Sequence, residues 1–148
     1  MNALNRALLA VVVGVTIAVI LTEAVLALLA LLSGGEALLP ALAASRPLPG
    51  VTLILLGAIW LAAGAAGGAM AAGLSRHPLL ALPVGLACAI PAAFTALVGL
   101  LPAPWVLAMG LSPLLGSLLG ALAVARLQHL DQGEVPAMMS QRAARKNS

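Results

Sequence analysis

Charged and aromatic side chains are nearly missing from this sequence. Only 7% of the 148 residues are charged and 2% are aromatic, with no tyrosine, one phenylalanine and two tryptophans. Soluble domains have about a quarter of their residues charged, so an ordinary soluble fold is excluded. The seven basic and four acidic residues give a net charge of +3, yet they stand at segment ends and form no basic face. Nucleic acid is therefore excluded as a partner.

The residues that carry metal, thiol or catalytic chemistry are also scarce. The one cysteine, Cys88, lies within an apolar run and allows neither an intramolecular disulfide nor a thiolate metal cage. The two histidines are isolated, no nucleophile stands beside a histidine, and no carboxylate pair lies within an apolar run. We therefore expect no enzymatic activity, no cofactor and no metal site.

Long apolar runs make up most of the chain, since 63% of the residues are hydrophobic. A helix that crosses the hydrocarbon core of a bilayer needs about 20 apolar residues. The sequence thus predicts an all-α fold, an integral membrane bundle of four transmembrane helices within residues 1–127, followed by a flexible basic cytoplasmic tail over 128–148. The predicted spans are residues 8–32, 51–74, 79–101 and 105–127.

The basic residues predict the orientation of these helices, because lysine and arginine near span ends resist translocation. Four spans place both termini on one side of the membrane, together with the 74–79 loop. That side holds six of the seven basic residues, and the other side holds only Arg46. Both termini are therefore predicted to be cytoplasmic, with Arg76, Arg126 and Trp105 as anchors at the membrane interface. The first run is too long for a secretory signal core and is expected to be retained.

Small residues recur at helical spacing in the second and fourth runs. Gly64 and Gly68 form one GxxxG pair and Gly116 and Gly120 another, and such pairs let helix backbones approach closely in lipid. The predicted packing residues also include Gly57, Trp60 and Gly85. These residues predict packing of the four helices within the chain; the alternative is docking on a second copy or on another membrane subunit. Trp60 is interpreted as a packing residue, with a cavity wall as its alternative role.

Glu23 is the only ionisable residue predicted to lie deep inside a span. A carboxylate there is costly, so we expect it to be protonated, paired with a polar group of another helix, or in contact with a water-filled cavity. Its functional interpretation is proton or ion coupling. Its structural interpretation is either a neutral acid hydrogen-bonded across the bundle or an acid close enough to the outer interface to stay hydrated. The polar groups available as partners are Thr16, Thr22, Thr52, Thr95, Ser112 and Ser117.

Several of these features together resemble a group of uncharacterised small bacterial four-helix inner-membrane proteins. They are an acid near the end of the first helix, a tryptophan followed by spaced glycines and an arginine in the second, a proline-rich turn with tryptophan, and glycines in the fourth. The matching residues are Glu23, Trp60, Gly64, Gly67, Gly68, Ala71, Arg76, Pro102, Pro104, Trp105, Gly116 and Gly120. Ile59 and Ala103 depart from the pattern. The resemblance covers residues 8–127 and implies a bacterial inner-membrane location and a helical bundle, but no activity.

Two functions remain open from the sequence. The first is a non-enzymatic structural or accessory subunit, whose partners are the lipid bilayer and either itself or a larger membrane complex. The second is a small proton-coupled transporter or channel that uses Glu23 and acts as an oligomer. In helix count and in the glutamate of its first helix, the chain is similar to small multidrug-resistance transporters, although those are shorter.

Overall fold

The fold is entirely helical where it is described. The computed structural model describes residues 2–32, 50–98 and 101–146, with side chains up to His129 in the last range. These ranges contain no strand, so the predicted all-α fold is confirmed. The helices are α1 (Ala3–Leu32), α2 (Gly50–Ser75), α3 (Ala81–Val98), which a 3-10 turn (Pro78–Leu80) precedes, and α4 (Ala103–Lys146).

Within the described residues, four helices are long and apolar enough to cross a membrane, as the apolar runs predict. Alanine and leucine, which dominate these runs, favour the helix more than most residues do. Pro78 opens the third span, where the N–H that proline lacks has no partner in the helix. The candidate spans are Ala3–Leu29, Thr52–Ser75, Pro78–Val98 and Ala103–His129.

The central helix of the bundle is α2. It packs against the other three helices, most extensively against α4, whereas α1 and α4 have little contact. A Cβ built on Gly14 would lie 3.2 Å from the Cβ of Ala71, and one built on Gly67 would lie 3.1 Å from that of Ala18. As the residue numbers rise along α1, those of the contacting residues in α2 fall, so these two helices are antiparallel.

In contrast, α2 and α4 run in the same direction. Gly64 lies against Pro113 and Gly68 against Ser117, so the residue numbers rise together in the two helices. Contacts of the same kind show that α3 is antiparallel to α4. The start of α1, the end of α2 and the start of α3 therefore meet at one end of the bundle.

Two apolar clusters fill the space between the helices. Their small side chains let the helices approach closely, while most of the large apolar side chains lie on the outside of the bundle. The smaller cluster, near the end of α2, consists of Ala72, Ala81 and Ala121. The buried members of the larger cluster are Ala18, Leu53, Leu56, Trp60, Ala63, Cys88, Ala92, Ala96 and Met109.

A left-handed residue ends α2. Arg76 has φ 60°, and its N–H donates to the carbonyl oxygen of Ala72 at 2.8 Å, which is the hydrogen bond of a left-handed helix cap. Ser75 fixes the turn, because its Oγ accepts from the N–H of His77 at 3.2 Å and donates to the Ala71 carbonyl at 2.6 Å. Left-handed backbone costs a residue with a Cβ about 1 to 2 kcal/mol, so this turn holds Arg76 in a strained conformation.

The fourth helix is longer than the sequence predicts. Residues 128–148 were expected to form a flexible tail, whereas the backbone of α4 remains helical to Lys146. A physical reason is that extending an existing helix avoids the cost of nucleation, so that each added residue gains a hydrogen bond.

Candidate functional site

The glycines of α2 lie where α2 and α4 are closest. A Cβ on Gly64 would lie 2.8 Å from the Cα of Pro113, and one on Gly68 would lie 2.6 Å from the Cα of Ser117. Both positions are far inside van der Waals contact with backbone atoms, which cannot move without moving the whole helix. Only glycine fits at these two positions in this packing.

The glycines of α4 make the reciprocal contacts. A Cβ on Gly116 would lie 2.9 Å from the carbonyl carbon of Leu61, and one on Gly120 would lie 2.8 Å from that of Ala65. The small surfaces of α2 and α4 therefore face each other within the chain. Gly64, Gly68 and Gly116 are buried there, which leaves these surfaces unavailable to a partner.

A second close approach, between α1 and α2, was missed in the sequence. A Cβ on Gly14 would lie 2.7 Å from the carbonyl oxygen of Gly67, and one on Gly67 would lie 2.5 Å from that of Gly14. The signal was present, since Gly14 is the only glycine of α1 and has Ala10 and Ala18 one turn away on either side. Ala10 and Ala18 are both buried, so these three small residues form the inner face of α1.

The other two predicted packing glycines differ from each other. Gly85 of α3 lies against α4, where a Cβ would come 3.0 Å from the Cα of Leu114. At Gly57, however, a Cβ would meet no described atom within 4 Å, so this glycine is not at a close helix contact like the others. The bulky side chains of Trp60 and Met109 belong to the apolar cluster at this end of α2.

Trp60 is packed in the core and does not line a cavity that the structure shows. Its side chain belongs to the larger cluster together with Cys88 and Met109, and 8% of the residue is exposed. The indole N–H finds no acceptor among the described groups. A buried donor left without a partner costs about 1 to 3 kcal/mol, so this N–H lowers the stability of the bundle.

Glu23 lies on the outside of α1. Its side chain is exposed and has no hydrogen bond or ion pair with any residue that the structure describes. The predicted pairing with another helix is therefore not made within the described chain. Most of the proposed partners donate instead to a carbonyl of their own helix: Thr16, Thr22, Thr95, Ser112 and Ser117.

The surface around Glu23 is a continuous exposed stripe. We name it the α1 outer face. Its members are all exposed and recur every three or four residues. They are Leu9, Val12, Thr16, Ile20, Glu23 and Ala27. The helix is also the least embedded of the four, since 22% of its span is buried against 44% for α2 and 39% for each of the other two spans. One side of α1 thus packs on the bundle and most of its surface is uncovered.

The predicted interface anchors lie near the ends of the bundle. Arg76 and Arg126 are exposed at the end where α1 begins, together with Arg6. Trp105 lies near the start of α4 at the opposite end, where it is half-buried against the larger apolar cluster. Trp105 therefore has a packing contact besides any role at an interface.

Reactive groups are few in the part of the chain that the structure describes. It contains no group of three or more residues that could hold a metal ion, and Cys88 is buried between the helices. No protein-family model, curated protein or solved structure matches the chain. The candidate site is therefore the α1 outer face, which combines an apolar surface that no described residue covers with an acid that no described residue pairs with.

Proposed function

We propose that the chain is a non-enzymatic accessory or structural subunit of a bacterial inner membrane, which docks on a larger membrane protein through the α1 outer face. The exposed position of Glu23 carries this proposal. If the face met only lipid, the carboxyl group would lie among acyl chains about 9 Å inside the Leu29 end of the span, and an acid within a span costs up to about 3 kcal/mol on insertion scales, the value at the bilayer centre. A polar partner on a neighbouring helix removes that cost.

The chemistry of the partner follows from the charges on this chain. The described cations, Arg6, Arg76 and Arg126, lie at the end of the bundle where α1 begins, and Glu23 is about 25 Å along the helix from Arg6. A second copy in the same orientation therefore presents another Glu23 at this depth and no described cation. The complementary occupant is a different membrane helix with a lysine or arginine at the depth of Glu23.

A second candidate function is a small proton-coupled transporter or channel that acts as an oligomer around Glu23. The outward position of this acid favours an oligomer, because two copies that meet at the α1 outer face bring their carboxyl groups together. Transport through one copy has no support, since the buried polar residues of the described bundle are Thr22, Ser75, Ser112 and Ser117, none of them ionisable at neutral pH.

The location and orientation belong to the same proposal. The gathering of the three described arginines at one end supports cytoplasmic termini by the positive-inside rule, while Arg46 lies outside the described residues. The resemblance to small bacterial inner-membrane proteins supports the inner membrane. Cysteine labelling from the periplasmic side should leave a cysteine introduced at Arg6 unmodified, and labelling there contradicts the orientation.

Photo-crosslinking in native membranes tests the docking surface. A photoreactive residue at Ile20 lies on the α1 outer face beside Glu23, and one at Leu86 of α3 is its matched control, since the two side chains are 59% and 57% exposed. We expect an adduct with another membrane polypeptide from position 20 and none from position 86. An adduct between two copies favours the oligomeric alternative, and no adduct from position 20 contradicts both.

A further inference from the structure

A cavity opens at the end of the bundle that carries the arginines. Its volume is about 260 Å³, and it lies between the end of α2, the turn that follows and α4; its lining residues are Ala72, Arg76, Pro78, Ala125, Gln128 and His129. The candidate spans end at Ser75 and His129 and begin at Pro78. The cavity therefore lies at the depth where the hydrocarbon core gives way to lipid headgroups.

Three of the lining residues carry hydrogen-bond donors that suit an anion. The guanidinium of Arg76 has N–H groups in a planar fork that matches phosphate oxygens, and the amide of Gln128 and the imidazole of His129 carry further donors. None of the described lining residues is acidic. The remaining walls, Ala72, Pro78 and Ala125, are apolar and suit the hydrocarbon next to a headgroup.

The backbone fixes the position of Arg76 in this cavity. Its left-handed φ of 60° is held by the hydrogen bond to Ala72 and by Ser75 in the turn. Strained backbone of this kind is concentrated at binding sites, where the surrounding structure determines it. The chain has an arginine at a cap position where glycine is the residue with the least strain.

We propose that this cavity binds the phosphate group of an anionic phospholipid. Basic pockets between membrane helices at headgroup depth are suited to such ligands. The volume of about 260 Å³ is near the lower end of the range for small-molecule pockets, about 300 Å³, which suits a small group such as a headgroup. A soluble phosphate shares the recognition chemistry, but the depth of the site favours the lipid. This proposal is independent of docking at the α1 outer face.

Native mass spectrometry of the purified full chain tests the site. The chain is equilibrated with mixed micelles of phosphatidylglycerol and phosphatidylcholine, and the retained lipid is counted. We expect Arg76→Asn to lower the affinity for phosphatidylglycerol roughly fivefold, the value of one interfacial cation; asparagine tolerates the left-handed backbone. Arg6→Gln and Arg126→Gln are matched controls, since each removes one positive charge at the same end but does not line the cavity.

The outcomes distinguish specific lipid binding in the cavity from general electrostatic attraction between lipid and the protein surface. Equal losses for Arg76→Asn and the two controls overturn the proposal, because they indicate diffuse electrostatics. The variant Gln128→Ala leaves the turn intact and should also weaken the retention of phosphatidylglycerol. If Arg76→Asn fails to fold, Gln128→Ala serves as the test, and unchanged retention in that variant overturns the proposal. Added inorganic phosphate should not displace the lipid, and displacement contradicts the assignment to a lipid headgroup.

Discussion

The interface between α2 and α4 and the outer face of α1 differ in how closely they pack against another helix. At the interface, Gly64 and Gly68 let two backbones come so close that no side chain fits between them. On the outer face, apolar side chains surround a single exposed acid, Glu23. Because lipid does not drive helices together, the first surface holds the bundle by close contact. The second makes no such contacts with the described residues, and we propose that a partner covers it.

Substitution at the interface should have a large effect on stability. Gly68→Leu places a side chain against the backbone of Ser117, and we expect a loss of about 3 kcal/mol, at the upper end of overpacking costs. The matched control is Gly57→Leu on the same helix, where a Cβ meets nothing within 4 Å. Unfolding of the purified variants in detergent measures the difference. Equal stability of the two variants means that α2 and α4 do not pack as described.

Two substitutions at Trp60 test the packing of the core. Trp60→Ala removes a large buried side chain and should cost about 3 to 5 kcal/mol, much as the glycine substitution does. Trp60→Phe removes the indole N–H that has no described acceptor but keeps an aromatic ring, so it should cost less than about 1.5 kcal/mol. The same unfolding measurement in detergent gives the loss of stability for each of the two variants. A loss for the phenylalanine variant as large as that for alanine indicates that the N–H has a partner.

Substitution on the outer face should have the smallest effect on the isolated chain. Glu23 has no described partner, so Glu23→Leu and Glu23→Gln should each change the free energy of unfolding by less than about 0.5 kcal/mol, as for other exposed sites. Unfolding in detergent, with Gly68→Leu as the destabilised reference, tests this expectation. A destabilisation that approaches the reference shows that Glu23 is bonded within the chain.

The sequence could predict the number of helices but not which way each of them faces. Run length alone sets the four candidate spans, and the spacing of Gly64, Gly68, Gly116 and Gly120 marks the surfaces that meet in the structure. In a soluble helix the apolar stripe identifies the inner face. Since α1 is apolar on nearly every side, that signal is lost, and Glu23 could not be placed inside or outside.

In such helices the small residues still indicate which face packs against a neighbouring helix. Their positions must be interpreted together with the side chains around them. Ala10, Gly14 and Ala18 mark the inner face of α1 and predict by exclusion that Glu23 faces outward. Gly57 has the same spacing as its neighbours on α2, but a Cβ there would meet no described atom within 4 Å. Spacing alone does not show which glycine of a series lies at a close contact.

The yield of the crosslink from position 20 in the Glu23→Leu variant decides whether Glu23 directs docking. Because contacts between small residues hold the fold, this variant should remain folded, while its adduct with another membrane polypeptide should fall to the level seen from position 86. An adduct that forms in full without the carboxyl group shows that Glu23 does not select the partner and contradicts the proposed docking.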